Sequence, residues 1–225
     1  MKKNNFSGIA PNLTDGIISL RRLTLENASE NYHNWLNDPA VNEFLECRHI
    51  KHTKESVSEF ISKTLNEDST QLLLGIFLAK SNTHIGNIKL DQVNWIHQHG
   101  IIGLIIGERD SWGKGFGTRA IALLTDYSIA TLKLKTLKAG CYSENIGSYK
   151  AFMKAGWKSI GRISNYWANI KGNRSDELLL SYETSNLENL DFPDSGGFTL
   201  IGGNKLLVDT ALILRSKGFE VCIVL

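Results

Sequence analysis

The 225-residue chain reads as an α/β (α+β) protein, and three observations predict that class. Apolar runs of strand length and amphipathic stretches of helical period follow one another in the order β-α-α-β-β-β-α-β-α-β-β, too uneven an alternation for a doubly wound sheet. The β-branched run Ile101 to Ile106 breaks into a turn with glycines at 113, 115 and 117, and a helical pattern begins at Thr118. Hydrophobic content of 42% and charged content of 21% are ordinary for a globular chain able to bury a core.

Residues 1–15 are polar and contain Pro11, which predicts a poorly ordered arm. Gly16 to Leu23 alternates apolar and polar residues in its later part and reads as the first strand. Tyr32, Trp35 and Leu36 then fall at helical spacing until Asp38-Pro39 ends the pattern. After a loop from Val41 to His52, Thr53 is a good N-cap for a second helix with Val57, Phe60, Ile61 and Leu65 as its apolar stripe. Leu72 to Ala79 is a continuous apolar run, Ser81-Asn82 marks a turn, and His84 to Leu90 alternates, which predicts an antiparallel hairpin. His99 to Glu108 is the strand that enters the glycine loop. In the helix beyond the loop, Ile121, Leu124, Tyr127 and Leu132 can face the sheet. Lys135 to Cys141 is a further strand, and Ile146 to Ala155 a helix closed by Gly156. Strands at Trp157 to Ile163, Tyr166 to Ile170 and Glu177 to Tyr182 complete the sheet, with a hairpin turn at Lys171-Gly172-Asn173.

Glycines between a strand and a helix let successive backbone N–H groups point into one concavity, and the helix adds unpaired first-turn donors and the positive end of its dipole. A phosphate or pyrophosphate suits such a cradle. A tight turn with no ligand is the alternative. The Walker pattern fails because Thr118-Arg119 follows the last glycine, and the dinucleotide fingerprint fails because its third glycine would fall at Ala120. The form W-G-K-G-F-G-T resembles the pyrophosphate loop of the GNAT acyl-CoA N-acyltransferases, although Trp112 stands where Gln or Arg is commoner. NWLNDPAVNEFLE and the N-x-x-S-x-x-x-F-x-x-x-G-W pattern from Asn145 to Trp157 resemble that family in order and spacing. The resemblance covers roughly Ile17 to Glu183. It implies a mixed, mostly antiparallel sheet with splayed central strands flanked by helices, and a branch that acts on ribosomal proteins or nucleotide sugars.

The resemblance also implies acetyl-CoA as co-substrate, with no metal. Backbone N–H groups of Lys114, Gly115, Phe116, Gly117 and Thr118 would hold its pyrophosphate. Ile105 and Ile106 would pair with its pantetheine arm, one of these N–H groups stabilising the oxyanion. Asn145 would hold the same arm, or serve as N-cap of the next helix. Many relatives carry a Tyr as proton donor where this chain has Phe152, so Ser148 is the candidate donor; a small residue that merely admits the cofactor is the alternative. His97 and His99, at the entrance of the cofactor-bearing strand, are candidate bases, with solvent as the alternative. For the acceptor amine, Arg48, His49, Lys51 and His52 suit the diphosphate of a nucleotide-linked amino sugar, and Trp35, Trp95 and Trp167 suit stacking. A ribosomal-protein or peptide N-terminus is the alternative acceptor, and a non-catalytic acyl-CoA-binding module the alternative function.

The remaining expectations are broader. A net charge of +2 argues against a nucleic-acid partner. No stretch reaches membrane-spanning length and no signal peptide is visible, so the chain is expected in the cytoplasm, and a homodimer is compatible with the resemblance. Three widely spaced cysteines suggest reduced thiols. The acetyltransferase domain is expected over 16–183 and a polar linker over 184–197. Residues 198–225 read as a βαβ opening, similar to the start of a formyltransferase-type nucleotide fold cut short.

Overall fold

The computed structural model describes residue 6 and residues 11–66, 70–168, 172–183, 197–201 and 220–224. It divides into two compact units, Met1–Glu183 and Thr184–Leu225.

In the first unit eight strands form one sheet in the order β1-β2-β3-β4-β5-β6-β8-β7. They are β1 (Asn12–Thr14), β2 (Ile18–Arg22), β3 (Leu72–Leu78), β4 (His84–Asn94), β5 (His99–Ile106), β6 (Thr136–Tyr142), β7 (Lys158–Ala168) and β8 (Arg174–Glu183). All neighbours are antiparallel except β5 and β6, so the expected mixed, mostly antiparallel α/β architecture is what forms. The helices are α1 (Glu30–Asn37), α2 (Pro39–Asn42), α3 (Lys54–Asn66), α4 (Phe116–Ala130) and α5 (Ile146–Lys154).

Local chemistry accounts for most boundaries. Asp38 does end α1, but its carboxylate also accepts from Ala40 N at 2.9 Å and caps α2, where Pro39 sits in the first turn. Part of the stretch expected as a loop is therefore helical. Thr53 caps α3 by accepting from Ser56 N. The last residues of the expected arm form β1 against β2, with Asp15 receiving two backbone N–H groups in the turn. The two strands expected over 157–170 are one strand, β7. Its register slips between Ile163 and Trp167, where Asn165 takes a φ of 55°, so the polar break is a bulge and not a turn.

Two cores lie on opposite faces of the sheet. On one, Ile88, Ile102, Leu137 and Leu180 pack with Ile121 and Leu124 of α4 and Phe152 of α5. On the other, Leu73 and Phe77 pack with Tyr32 and Trp35 of α1 and Val57 and Ile61 of α3.

In the second unit β9 (Gly197–Ile201) and β10 (Glu220–Val224) pair in parallel, Gly197 opposite Glu220. The expected helix over 205–217 and most of the expected linker lie outside the described residues.

Candidate active site

The parallel pairing of β5 with β6 is confined to His99 with Thr136, Gly100 with Leu137 and Ile101 with Lys138. Beyond those pairs β5 runs on to Ile106 and β6 to Tyr142, each without the other. The resulting fork leaves two rows of backbone donors and acceptors facing a gap, and buried backbone groups need partners. A cavity of about 690 Å³ fills the fork, with Gly103 and Ile105 on one prong, Gly140, Cys141 and Tyr142 on the other, and Asn145, Ser148 and Phe152 at its end.

Gly107 N donates to Ile85 O at 2.9 Å. Backbone groups alternate along an antiparallel pair, so Ile105 also points its amide at β4, while Leu104 and Ile106 turn theirs towards the gap. Of the two isoleucines singled out in the sequence, Ile106 thus offers its N–H to the fork and Ile105 its side chain to the cavity. Gly86 keeps this prong close to β4, since a Cβ there would lie 2.2 Å from Ile105 O.

The glycine loop follows at the tip of β5. Trp112 explains its own presence: the indole N–H donates to Ile106 O at 2.7 Å and ties the loop to the strand end. Gly113 and Gly115 take φ of 73° and 81°, conformations that L side chains rarely adopt. Gly115 is the N-cap of α4 and makes no side-chain cap, so the first-turn N–H groups of Phe116, Gly117 and Thr118 have no partner within the helix. Lys114 lies exposed in the same loop. Arg119 is held by Asp15 at 2.6 Å, which fixes β1 against the first turn of α4.

Across the fork, Asn145 is the N-cap of α5 and its Oδ1 accepts from Ser148 N at 3.0 Å. Both residues line the cavity. Phe152 is buried and packs edge-on against Trp157, whose indole N–H donates to Thr125.

Several residues proposed from sequence for chemistry or acceptor binding sit elsewhere. His97 and His99 stack on each other where β5 and β6 still pair. At about 3.3 Å per residue, His99 is about 20 Å along the strand from Ile105, and neither histidine lines the cavity. Trp35 is core: it packs edge-on to His84 and covers Gly107, where a Cβ would come within 2.0 Å of the indole. Trp95 packs on Phe6. His49 and Lys51 are exposed and do not line the cavity. His52 and Trp167 do line it, but His52 is buried with its Nε2 2.9 Å from Cys47 O.

Arg48 is occupied by the fold. Its side chain is only 3% exposed. The guanidinium donates to Leu45 O at 2.9 Å, to the Tyr142 hydroxyl at 2.9 Å and to Ala168 O at 2.7 Å. The Tyr142 hydroxyl in turn donates to Glu46 Oε1 at 2.6 Å. Burial, with the Glu46 bond adding to it, pushes the Tyr142 phenol above its usual range. This network joins the segment after α2 to the ends of β6 and β7 and closes the cavity on that side. Tyr142 and Asn87 carried no motif in the sequence, and Glu46 only closed the NWLNDPAVNEFLE stretch without a role; they join the site through strand pairing and through contacts between distant segments.

Residues 18–158 match the family profile described as the acetyltransferase (GNAT) domain. The chain is a member of the GNAT acetyltransferase family. The GNAT domain is 32% identical over 108 residues to the probable N-acetyltransferase YjcK of Bacillus subtilis (strain 168), a match spanning 45% of this chain and 59% of that protein. It is 23% identical over 167 residues to the uncharacterized N-acetyltransferase p20 of Bacillus licheniformis, spanning 73% of this chain and 91% of that one. Among solved structures, a GNAT-family acetyltransferase from Bacillus anthracis superposes with a TM-score of 0.67 at 18% identity, over 77% of this chain and 98% of that one. The spermidine N-acetyltransferase of Vibrio cholerae, solved with CoA and spermine, superposes with a TM-score of 0.67 at 21% identity, over 76% of this chain and 98% of that one. These likenesses show that the forked sheet is the family fold. Among the described residues of the GNAT domain no cluster of His, Cys, Asp or Glu has the makings of a metal site, and no helix is long and apolar enough to cross a membrane.

Proposed function

We propose that the GNAT domain transfers an acetyl group from acetyl-CoA to an amine by direct attack in a ternary complex. The observation that carries this reading is the fork between β5 and β6, whose unpaired backbone leads to the bare N-terminus of α4. Bound acetyl-CoA would supply an activated acyl group with a thiolate leaving group. First-turn amides of Phe116, Gly117 and Thr118, with Lys114 beside them, hold the pyrophosphate. Amides of Leu104 and Ile106 on the open side of β5 take the place of a third strand, and one of them stabilises the oxyanion. Asn145 orders the first turn of α5 and so fixes Ser148, the hydroxyl that returns a proton to the sulfur. Glu46 is the carboxylate among the lining residues, and it receives the ammonium before the proton is lost.

For the acceptor, a nucleotide-linked amino sugar would need a diphosphate clamp. Arg48 and His52 are committed to the fold, and His49 and Lys51 lie off the cavity wall. The wall is instead largely apolar and aromatic, with Tyr32, Phe44, Phe60, Tyr142 and Trp167 on it. It favours an amine on a compact body over one on a nucleotide. Thiol release from acetyl-CoA, measured against a panel of compact amines, N-terminal peptides and nucleotide amino sugars, tests the reading. Release only with nucleotide amino sugars would reinstate the diphosphate. Acetyl-CoA binding without release on any amine would make the domain an acyl-CoA-binding module.

A further inference from the structure

Two residues of the cavity wall, Asn87 and Trp167, each carry a buried nitrogen, Nδ2 and Nε1, with no hydrogen-bond partner among the described residues. Asn87 is 3% exposed and lies on β4 directly opposite Ile105. Its Oδ1 is 2.9 Å from His84 Nε2. Phe77 stacks on that imidazole at 4.8 Å, and Trp35 and Tyr32 meet it edge-on. A neutral imidazole in this aromatic box donates Nε2–H to Oδ1, and the amide NH₂ then points away from the imidazole. Trp167 comes from β7 on the far prong. Its indole stacks on Tyr142 with centroids 5.3 Å apart and planes at 22°, which fixes the direction of its N–H.

Several other polar groups on the wall are already engaged. Lys89 pairs with Asp91 at 2.7 Å, His52 Nε2 is bonded to Cys47 O, and Asn145 Oδ1 is bonded to Ser148 N. Buried donors are nearly always paired in native proteins, so the two left over describe the guest. An amide NH₂ and an indole N–H can only donate; they need lone pairs opposite them.

We infer that the acceptor amine carries neutral oxygen acceptors, a carbonyl or hydroxyl oxygen near the amino group, which receive hydrogen bonds from Asn87 Nδ2 and Trp167 Nε1. This deepens the transferase reading above and rests on it. An aminoacyl amide and an amino sugar both supply such oxygens. A protonated polyamine offers donors alone and would leave both nitrogens unpaired, whatever fold it shares a binding protein with.

The test uses matched pairs with the full chain: phenylalaninamide against phenethylamine, glucosamine against cyclohexylamine, and spermidine alongside. The oxygen-bearing member of at least one pair is expected to lead in kcat/KM by about tenfold or more, because a site built to bond an oxygen rejects the analogue lacking it. That lead should collapse in Asn87→Leu, and in Asn87→Asp, which keeps the shape and replaces the donor with an acceptor. Acetyl-CoA affinity, read by calorimetry, reports whether each variant is folded, and the comparison within wild type stands without any variant. Whether phenylalaninamide or glucosamine leads decides between the two sources. Equal rates within both pairs, or spermidine as the best acceptor, would overturn the inference and leave the transferase standing. Acetyl-CoA binding with no thiol release on any amine would overturn both.

Discussion

The guanidinium of Arg48 donates to the hydroxyl of Tyr142 at 2.9 Å, across 94 positions of sequence. The same group reaches Leu45 O and Ala168 O, so one buried cation joins the segment after α2 to β6 and β7. Arg48→Met keeps the length and apolar stem and removes every donor. Hydrogen bonds to charged groups contribute about 1.5–3 kcal/mol each, and the Tyr142 hydroxyl keeps Glu46, so a loss of about 2–3 kcal/mol is expected. Urea denaturation measures it. Acceptor KM should rise with it, because the cavity wall is what comes loose.

Gly115 caps α4 at a φ of 81°, and a Cβ there would meet nothing within 4 Å. Gly115→Ala therefore acts through backbone strain alone, at about 1–2 kcal/mol. Relief of the strain would turn the first-turn amides of α4 away from their common centre. The expected outcome is a modest fall in Tm and a much larger fall in acetyl-CoA affinity by calorimetry. A fall confined to stability would show that the loop does not cradle the anion.

Ser148 lines the cavity at the first turn of α5. Ser148→Ala should lower kcat by about a hundredfold, the lower range for a general acid, and leave acetyl-CoA affinity near wild type. An unchanged kcat in steady-state assays would mean that Ser148 is there for its size.

His84 gives the chain a definite pH response. Burial, outweighing the bond to Asn87, depresses its pKa below the ordinary 6.5. The unfolded chain then binds the proton more readily than the folded one, so stability rises with pH through this window. It is complete above about 6.5 and is lost progressively as pH falls below that value towards the folded pKa. Urea midpoints at a series of pH values from acid to neutral should show this slope in wild type. His84→Phe, which keeps an aromatic ring against Phe77, should flatten it.

In the sequence, the boundary between the two compact units falls between Glu183 and Thr184. A chain ending at residue 183 is expected to fold with an unchanged Tm and to keep its acetyl-CoA affinity. A clear loss of either, by calorimetry, would show that residues 184–225 are part of the enzyme.

Much of this was legible in local patterns. The apolar period shows most strands and helices because burying one face of an element repeats at that element's own spacing. Thr53 and Asn145 announce helix starts because capping is a contact over two or three residues, whereas Asp38 was legible only as a helix end. The glycine loop was legible for the same reason: its φ requirements act within single residues. Trp112, which looked like a departure from the family loop, proves to be its anchor on Ile106.

Residue types without positions do not show that Arg48, Trp35 and Trp95 are engaged by the fold and lie off the cavity wall, or that His52 lines it with Nε2 already bonded. A cation or an aromatic ring in a sequence has the same chemistry whether it faces a ligand or a carbonyl of its own fold. Only the contacts separate the two cases, and those contacts span long loops: Arg48 reaches Tyr142, and Trp35 covers Gly107.

The sequence by itself determined the element order, the glycine loop at the tip of β5 and membership of a fold, since each follows from interactions within a few residues. The tertiary structure decided where the site lies and what it can hold. The fork exists because β5 and β6 stop pairing after Ile101 and Lys138, and a strand carries no local mark of where its neighbour leaves it. Asn87 and Trp167 enter the site from opposite sides of that gap, and their unpaired nitrogens acquire meaning only once the gap is there.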